Sequence, residues 1–301
     1  MIFAGSSNKP LAEKIAKYLN LTLSPLEINV FPDGERRVRV LENVVDKDTF
    51  VVQSTCSPVD TNYMELFLII DALKRSGAKS VTGIVPYLGY QRQDHIFRDG
   101  EAVSLEVVAQ ILQKVGLSKI ICFDLHSVKM PEIFSIPVVH LSALPLFADK
   151  IKEITKAQDE EGVLVSPDMG GIRRIKILSE SLSNTPFATI VKNRDLETGE
   201  IIDSVIEGNV KGKTVFIVDD MISTGETIVV AAKILKEKGV GKIYVFATHG
   251  VLSDEAPRLL ESDILEKVYL TDSVLIPKEK EFAKLETFSI ADIIAQNLNS
   301  L

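Results

Sequence analysis

VFIVDDMISTGET, residues 215–227, sets four β-branched or aromatic residues ahead of two acids and a hydroxyl-rich turn. The quartet Val215–Val218 predicts a fully buried strand. The run that follows, IVVAAKILKEKG, has a helical apolar pattern and a stop at Gly239. The segment between them therefore opens a helix, whose first N–H groups and positive dipole end bind phosphate. Ser223 and Thr224 add hydroxyl donors, and Gly225 permits a tight backbone turn. Asp219 and Asp220 would repel a phosphate, so their natural partners are sugar hydroxyls or a hydrated divalent cation. Phosphate at one end and hydroxyls at the other describe a cradle for ribose 5-phosphate. An ordinary strand-to-helix turn would need only one acid and one hydroxyl as caps.

Outward from this run, strand-like segments alternate with helical ones. Strands are predicted at the start (IFAG), at 38–41, 49–53, 81–86, 119–123 and 137–140, then near 163–166, 187–191, 215–218, 243–247 and 267–270. Helices are predicted at 9–19, 62–76, 103–115, 170–182, 226–238, 255–261 and 290–298. Such alternation implies an α/β fold with mainly parallel sheets covered on both faces. LKRSGAKSVTGIVPY from Leu73 lines up with LKEKGVGKIYVFATH from Leu235, 162 residues later. The match predicts two copies of one α/β domain, residues 1–143 and 144–301, with Pro145 in the first turn of a helix. The last helix has no domain assigned by its sequence. The loop after the first copy's strand, QSTCSPVDTN from Gln53, lacks an acidic pair, so only the second copy is expected to hold the sugar phosphate.

The 301 residues carry a net charge of −8, which argues against nonspecific nucleic-acid binding. Cys56 and Cys122 have no framework spacing, which points to a reducing compartment. MIFAGSSNKPLAEK lacks the charged start and apolar core of a signal peptide. No apolar run approaches the ~18 residues of a membrane span. A cytoplasmic location without membrane attachment is expected.

Several further segments carry candidate chemistry. In FPDGE, residues 31–35, Phe31 could stack on a purine while Asp33 and Glu35 accept from its amino group; Gly34 suits the turn. PYLGYQRQDH, residues 86–95, follows a strand, and Arg92 offers a fork of donors to a triphosphate. Asp124-Leu125-His126 ends another strand, and VSPDMGGIRR, residues 165–174, places Asp168 before a glycine pair. KNRDLETGEIIDSVIEGNVKGKT begins with Lys192 and Arg194 and reads as a polar loop of the length that active-site lids have. GNVKGKT, residues 208–214, is no Walker A loop: its glycine spacing is short and it precedes a strand. His140 and His249 read as structural.

In order and spacing these segments resemble those of the ribose-phosphate diphosphokinases, whose sugar loop is shared with phosphoribosyltransferases. The resemblance runs essentially the full length, through ATHGVLS and YLTDS. It implies two phosphoribosyltransferase-like domains and transfer of the β,γ-diphosphoryl group of ATP to the 1-hydroxyl of ribose 5-phosphate. It further implies ATP binding by Phe31, Asp33, Gly34, Glu35, Arg92, Gln93, Asp94 and His95, the first four commonly serving a neighbouring subunit. Ribose 5-phosphate would be held by Arg194, Asp219, Asp220, Ser223, Thr224, Gly225, Glu226 and Thr227. His126 and Asp168 would hold Mg²⁺, while Lys192 and Arg194 would act on the transferring group. A homo-oligomer built from dimers, up to a hexamer, is implied as well. The chain departs from the family pattern at His95 and Asn193, where basic residues are common, at Ser223, where many members carry Asp, and at Glu226, where a small residue is usual. Two rivals are a phosphoribosyltransferase, which would have no use for the 31–35 and 92–95 segments, and a non-catalytic associated subunit.

Overall fold

The computed structural model describes residues 1–300 apart from 128, 159–160 and 195–200; at 192–194 and 201–204 it describes the backbone alone. The first half runs β1 (Ile2–Ala4), α1 (Lys9–Tyr18), β2 (Leu26–Val30), β3 (Arg36–Val40), β4 (Asp48–Val52) and α2 (Val59–Arg75). It continues with β5 (Ser80–Ile84), α3 (Ser104–Lys114), β6 (Lys119–Phe123) and β7 (Val138–Leu141). The second half runs α4 (Leu144–Gln158), β8 (Gly162–Ser166), α5 (Ile172–Ser181), β9 (Phe187–Arg194), β10 (Ile201–Glu207) and β11 (Thr214–Ile222). It closes with α6 (Glu226–Glu237), β12 (Ile243–Gly250), α7 (Ala256–Leu260), β13 (Lys267–Thr271), β14 (Leu285–Phe288) and α8 (Ala291–Asn299).

The two halves are copies of one plan. One sheet has the order β1-β4-β5-β6-β7 with every pair parallel. In the other, β8-β11-β12-β13-β14 repeats that order, again all parallel, and β9 and β10 extend it beyond β8. In both copies an antiparallel hairpin follows the first strand and helix. In the first it is the separate ribbon β2–β3; in the second it is β9–β10.

One compact unit contains Met1–Ser142 with Ser273–Leu275 and Ser289–Leu301; the other contains Ala143–Asp272 and Ile276–Phe288. The closing helix of each copy therefore belongs to the other unit. α8 packs on α1 in the first unit, and α4 packs on α5 in the second.

Buried apolar runs drive both cores. Phe3, Val51, Leu66, Ile70, Val81 and Ile120 meet in the first; Val165, Ile190, Val215, Ile217, Ile228 and Val245 meet in the second. The other face of the second sheet carries an aromatic row in which Phe246 stacks on Tyr269 at 4.6 Å and Tyr269 on Phe288 at 5.6 Å. Fully buried parallel strands tolerate such continuous hydrophobic runs, which is why β8, β11 and β12 are legible from sequence.

Three strands lie where the sequence pattern predicts none: β2, β10 and β14. Two of them are the outer strands of the larger sheet and the third sits in the two-stranded ribbon, so none has the doubly buried run that marks a central strand. The polar stretch beginning at Lys192 is also not one long loop. Its backbone continues β9 to Arg194 and returns as β10, with Val205 opposite Val191.

Candidate active site

The second sheet has one place where the chain's direction of travel reverses. From β8 the chain steps outward to β9 and β10, then returns to the other flank of β8 with β11. Crevices at the carboxyl ends of strands flanking such a switch point are where open α/β sheets bind ligands. The carboxyl ends of β8 and β11 carry Asp168, Asp219, Asp220 and the Ser223–Thr227 turn.

β11 is longer than its apolar quartet suggests. Asp219 and Asp220 lie on the strand and not in the loop after Val218, because β12 continues alongside and pairs Met221 with His249 and Ile222 with Gly250. Pairing with β8 ends earlier, at Ile217 opposite Val165. Into that flank reaches Arg174 from the first turn of α5. Its Nη1 lies 3.2 Å from Asp219 Oδ1 and its Nη2 3.5 Å from Asp220 Oδ1. Burial, then the adjacent Asp220 carboxylate, holds the Asp219 carboxyl well above the ordinary carboxylate range, with Arg174 pulling the other way.

Beyond the acids, Gly225 adopts φ +78°, a left-handed conformation that glycine enters without cost. α6 starts at the next residue and has no side-chain cap, so its first N–H groups face outward as donors. Thr224, Glu226 and Thr227 are exposed there, while Ser223 is half-buried. The turn is braced from behind: the Ser253 N–H donates to the Ser223 carbonyl at 2.9 Å, and the Leu252 N–H to that of Ile222 at 3.0 Å. On the β8 side, Asp168 is exposed, and its Oδ1 accepts from the Gly170 and Gly171 N–H groups at 2.9 and 3.3 Å. A Cβ on Gly171 would fall on the Ser166 hydroxyl, which itself donates to the Asp168 carbonyl.

In the first unit the predicted residues fall into two groups. Phe31, Asp33, Gly34 and Glu35 form the exposed tip of the β2–β3 ribbon. The turn closes through Gly34 N–H to the Phe31 carbonyl and Phe31 N–H to the Glu35 carbonyl, both at 2.8 Å, and Arg37 lies over the Phe31 ring. The other group follows β5 and β6. Arg92, Gln93 and His95 are exposed, and His95 Nδ1 meets Asp94 Oδ1 at 2.6 Å. Gln91, buried beside them, accepts the His126 N–H on Oε1 at 3.1 Å. Its Nε2 is buried with no hydrogen-bond partner among the described residues. His126 itself is exposed.

The side chains of Lys192, Asn193 and Arg194 lie outside the described residues, as do residues 195–200. Among the described residues no three His, Cys, Asp or Glu side chains cluster as a metal cage. Two residues to which the sequence reading gave no role take part in this geometry, Arg174 and Gln91. No local pattern marks them, since each acts on residues distant in the chain.

A duplicated parallel α/β chain with an uncapped helix start at a strand-order switch falls in the broad class of phosphate-binding α/β proteins. Two family models narrow the class. Residues 1–116 match the N-terminal domain of ribose phosphate pyrophosphokinase, and residues 195–301 match a phosphoribosyl synthetase-associated domain. The chain is 40% identical to ribose-phosphate pyrophosphokinase 2, chloroplastic, of Oryza sativa, over 99% of this chain and 74% of that protein. It is 39% identical to ribose-phosphate pyrophosphokinase 2 of Enterococcus faecalis, over 100% of this chain and 92% of that one. The crystal structure of phosphoribosylpyrophosphate synthetase from Mycobacterium smegmatis superposes with a TM-score of 0.94 at 38% identity, covering 100% of this chain and 97% of that one. This chain belongs to the ribose-phosphate pyrophosphokinase family.

Proposed function

We propose that the chain transfers the β,γ-diphosphoryl group of ATP to the 1-hydroxyl of ribose 5-phosphate, giving phosphoribosyl diphosphate and AMP. The observation that carries this reading is the run from a half-buried and a buried carboxylate straight into an uncapped helix start, at the strand-order switch of the second sheet. The α6 N–H groups, with Ser223, Thr224 and Thr227, bind the 5-phosphate. Asp219 and Asp220 accept from the ribose hydroxyls, and the Glu226 backbone contributes to the phosphate cradle.

Phe31, Asp33, Gly34, Glu35, Arg92, Gln93, Asp94 and His95 hold ATP. Lys192 and Arg194 neutralise charge that builds on the transferring group, and Arg194 also contacts the sugar phosphate. Catalysis then rests on positioning the 1-hydroxyl in line with the bond that breaks, between the β-phosphorus and the α–β bridging oxygen.

The oxygen donors of Asp168, Asp219 and Asp220 suit a hard divalent cation, which takes few protein ligands and fills its shell with water and phosphate. Asp168 and His126 would each serve as a Mg²⁺ ligand, and the bound ion would supply neutralisation of the polyphosphate charge. The protein acts as a homo-oligomer built from dimers, in the cytoplasm; among the described residues no helix is long and apolar enough to cross a membrane.

The test is AMP release from ATP, Mg²⁺ and ribose 5-phosphate, with phosphoribosyl diphosphate scored in parallel. Equal amounts of both products support the reading. Ribose 5-phosphate binding without AMP would point to a non-catalytic subunit, and binding of neither substrate would refute the sugar loop itself.

A further inference from the structure

Adjacent residues on a strand send their side chains to opposite faces of the sheet. Asp219 and Asp220 are adjacent on β11, and yet one guanidinium reaches both, at 3.2 and 3.5 Å. It can do so because Arg174 approaches edge-on, through the flank of β11 that β8 vacates past Ile217. Only a planar fork suits such a bridge. Nη1 serves one carboxylate and Nη2 the other, whereas an ammonium presents a single point of charge. The three side chains are 14%, 14% and 5% exposed in the order Arg174, Asp219, Asp220. Two carboxylates so close and so little hydrated repel each other, and a fixed counter-charge is the means of keeping them together.

Resting on the proposed role of the two acids at the ribose hydroxyls, we infer that Arg174 is a positioning residue. It fixes both carboxylates in the geometry that meets the sugar and sets a positive charge beside them. An arriving sugar phosphate then meets acids whose negative charge is offset by that guanidinium. The guanidinium, carried by the first turn of α5, acts through the acids.

The experiment compares Arg174→Met and Arg174→Lys with the parent chain, reading KM for each substrate in the AMP-release assay and ribose 5-phosphate binding by calorimetry without ATP. Arg174→Met should raise the ribose 5-phosphate KM and Kd by at least about tenfold while the ATP KM moves less than about twofold. Arg174→Lys should recover part of that loss, because it returns the charge without the fork. An unchanged ribose 5-phosphate affinity, or equal losses for both substrates, would overturn the proposal. If Arg174→Met does not fold, Arg174→Lys decides by the same split.

A thermal double-mutant cycle needs no substrate. Asp219→Asn should restore part of the stability that Arg174→Lys loses, and strict additivity would count against the pairing. A parent chain that binds no ribose 5-phosphate would sink the functional reading while leaving this cycle to judge the charge bridge.

Discussion

The imidazole Nε2 of His140, on β7, accepts the backbone N–H of Leu125 at 3.0 Å. The bonds on either side complete a clamp: the Asp124 N–H donates to the Leu141 carbonyl at 3.0 Å, and the His126 N–H to Gln91 Oε1 at 3.1 Å. Three consecutive peptide donors are thus held by three separate acceptors. The clamp supports Asp124 at φ +32°, a conformation that non-glycine residues rarely keep without outside support. His126 is therefore presented from an over-determined backbone.

Removing the imidazole should expose that dependence. His140→Phe leaves the Leu125 N–H without its acceptor and should cost about 1–3 kcal/mol, read from the urea unfolding midpoint. His140→Asn, whose amide oxygen can accept, should recover part of the loss together with turnover. An unfolding curve unmoved by His140→Phe would show that the clamp does not bear on stability.

Gly225 should tolerate no side chain, although there is room for one. A Cβ there would lie 3.5 Å from Leu260 Cγ, an ordinary contact, so the obstacle is the backbone angle of +78° and not space. Gly225→Ala should destabilise by about 1–2 kcal/mol. It should also weaken ribose 5-phosphate binding, by shifting the α6 N–H groups. Asn tolerates the left-handed region better than Ala, so Gly225→Asn should be the milder variant in both assays.

The raised Asp219 carboxyl has a consequence for stability against pH. A group whose folded pKa lies above its unfolded value gives stability that is fully present below the unfolded pKa and is lost as pH rises through the folded one. Substrate-free protein should therefore lose stability from this residue as pH climbs from about 4, the unfolded carboxylate value. Asp219→Asn should melt higher than the parent at neutral pH, with the gap closing toward pH 4, and should bind ribose 5-phosphate less well. Melting curves that run parallel across this range would contradict the assignment.

Lys192→Ala should depress kcat far more than it weakens ATP binding, if its cation serves mainly the transition state. Single-turnover rates and ATP titrations on the same variant separate the two effects. Comparable losses in both would move Lys192 from the reacting group to ground-state binding.

Much of the layout was legible because the second-half strands are buried on both faces. Val215–Val218 and residues 243–247 are unbroken apolar runs, and such runs announce central parallel strands. The repeat starting at Leu73 and Leu235 was equally visible, and the matching strand orders of the two sheets bear it out. β2, β10 and β14 escaped because outer strands need no doubly buried run. The polar stretch after Lys192 looked like a loop for the same reason: backbone hydrogen bonding to β9 makes β10, and such bonding leaves no mark in composition.

By itself the sequence determined the alternation of strand and helix, the duplication, and the succession of acids, hydroxyls and glycine before α6. These follow from nearest-neighbour physics: hydrophobic period, turn chemistry and helix-start preferences act within a few residues. Only the tertiary structure decided that Asp219 and Asp220 share Arg174, that His140 and Gln91 accept the N–H groups of Leu125 and His126, and that the closing helix of each copy belongs to the other unit. The side-chain pairings join residues from 15 to 46 positions apart, and α8 packs on α1 from the opposite end of the chain. Distance along the chain carries no energy, so such choices are made by packing and by the need to satisfy buried charges and donors.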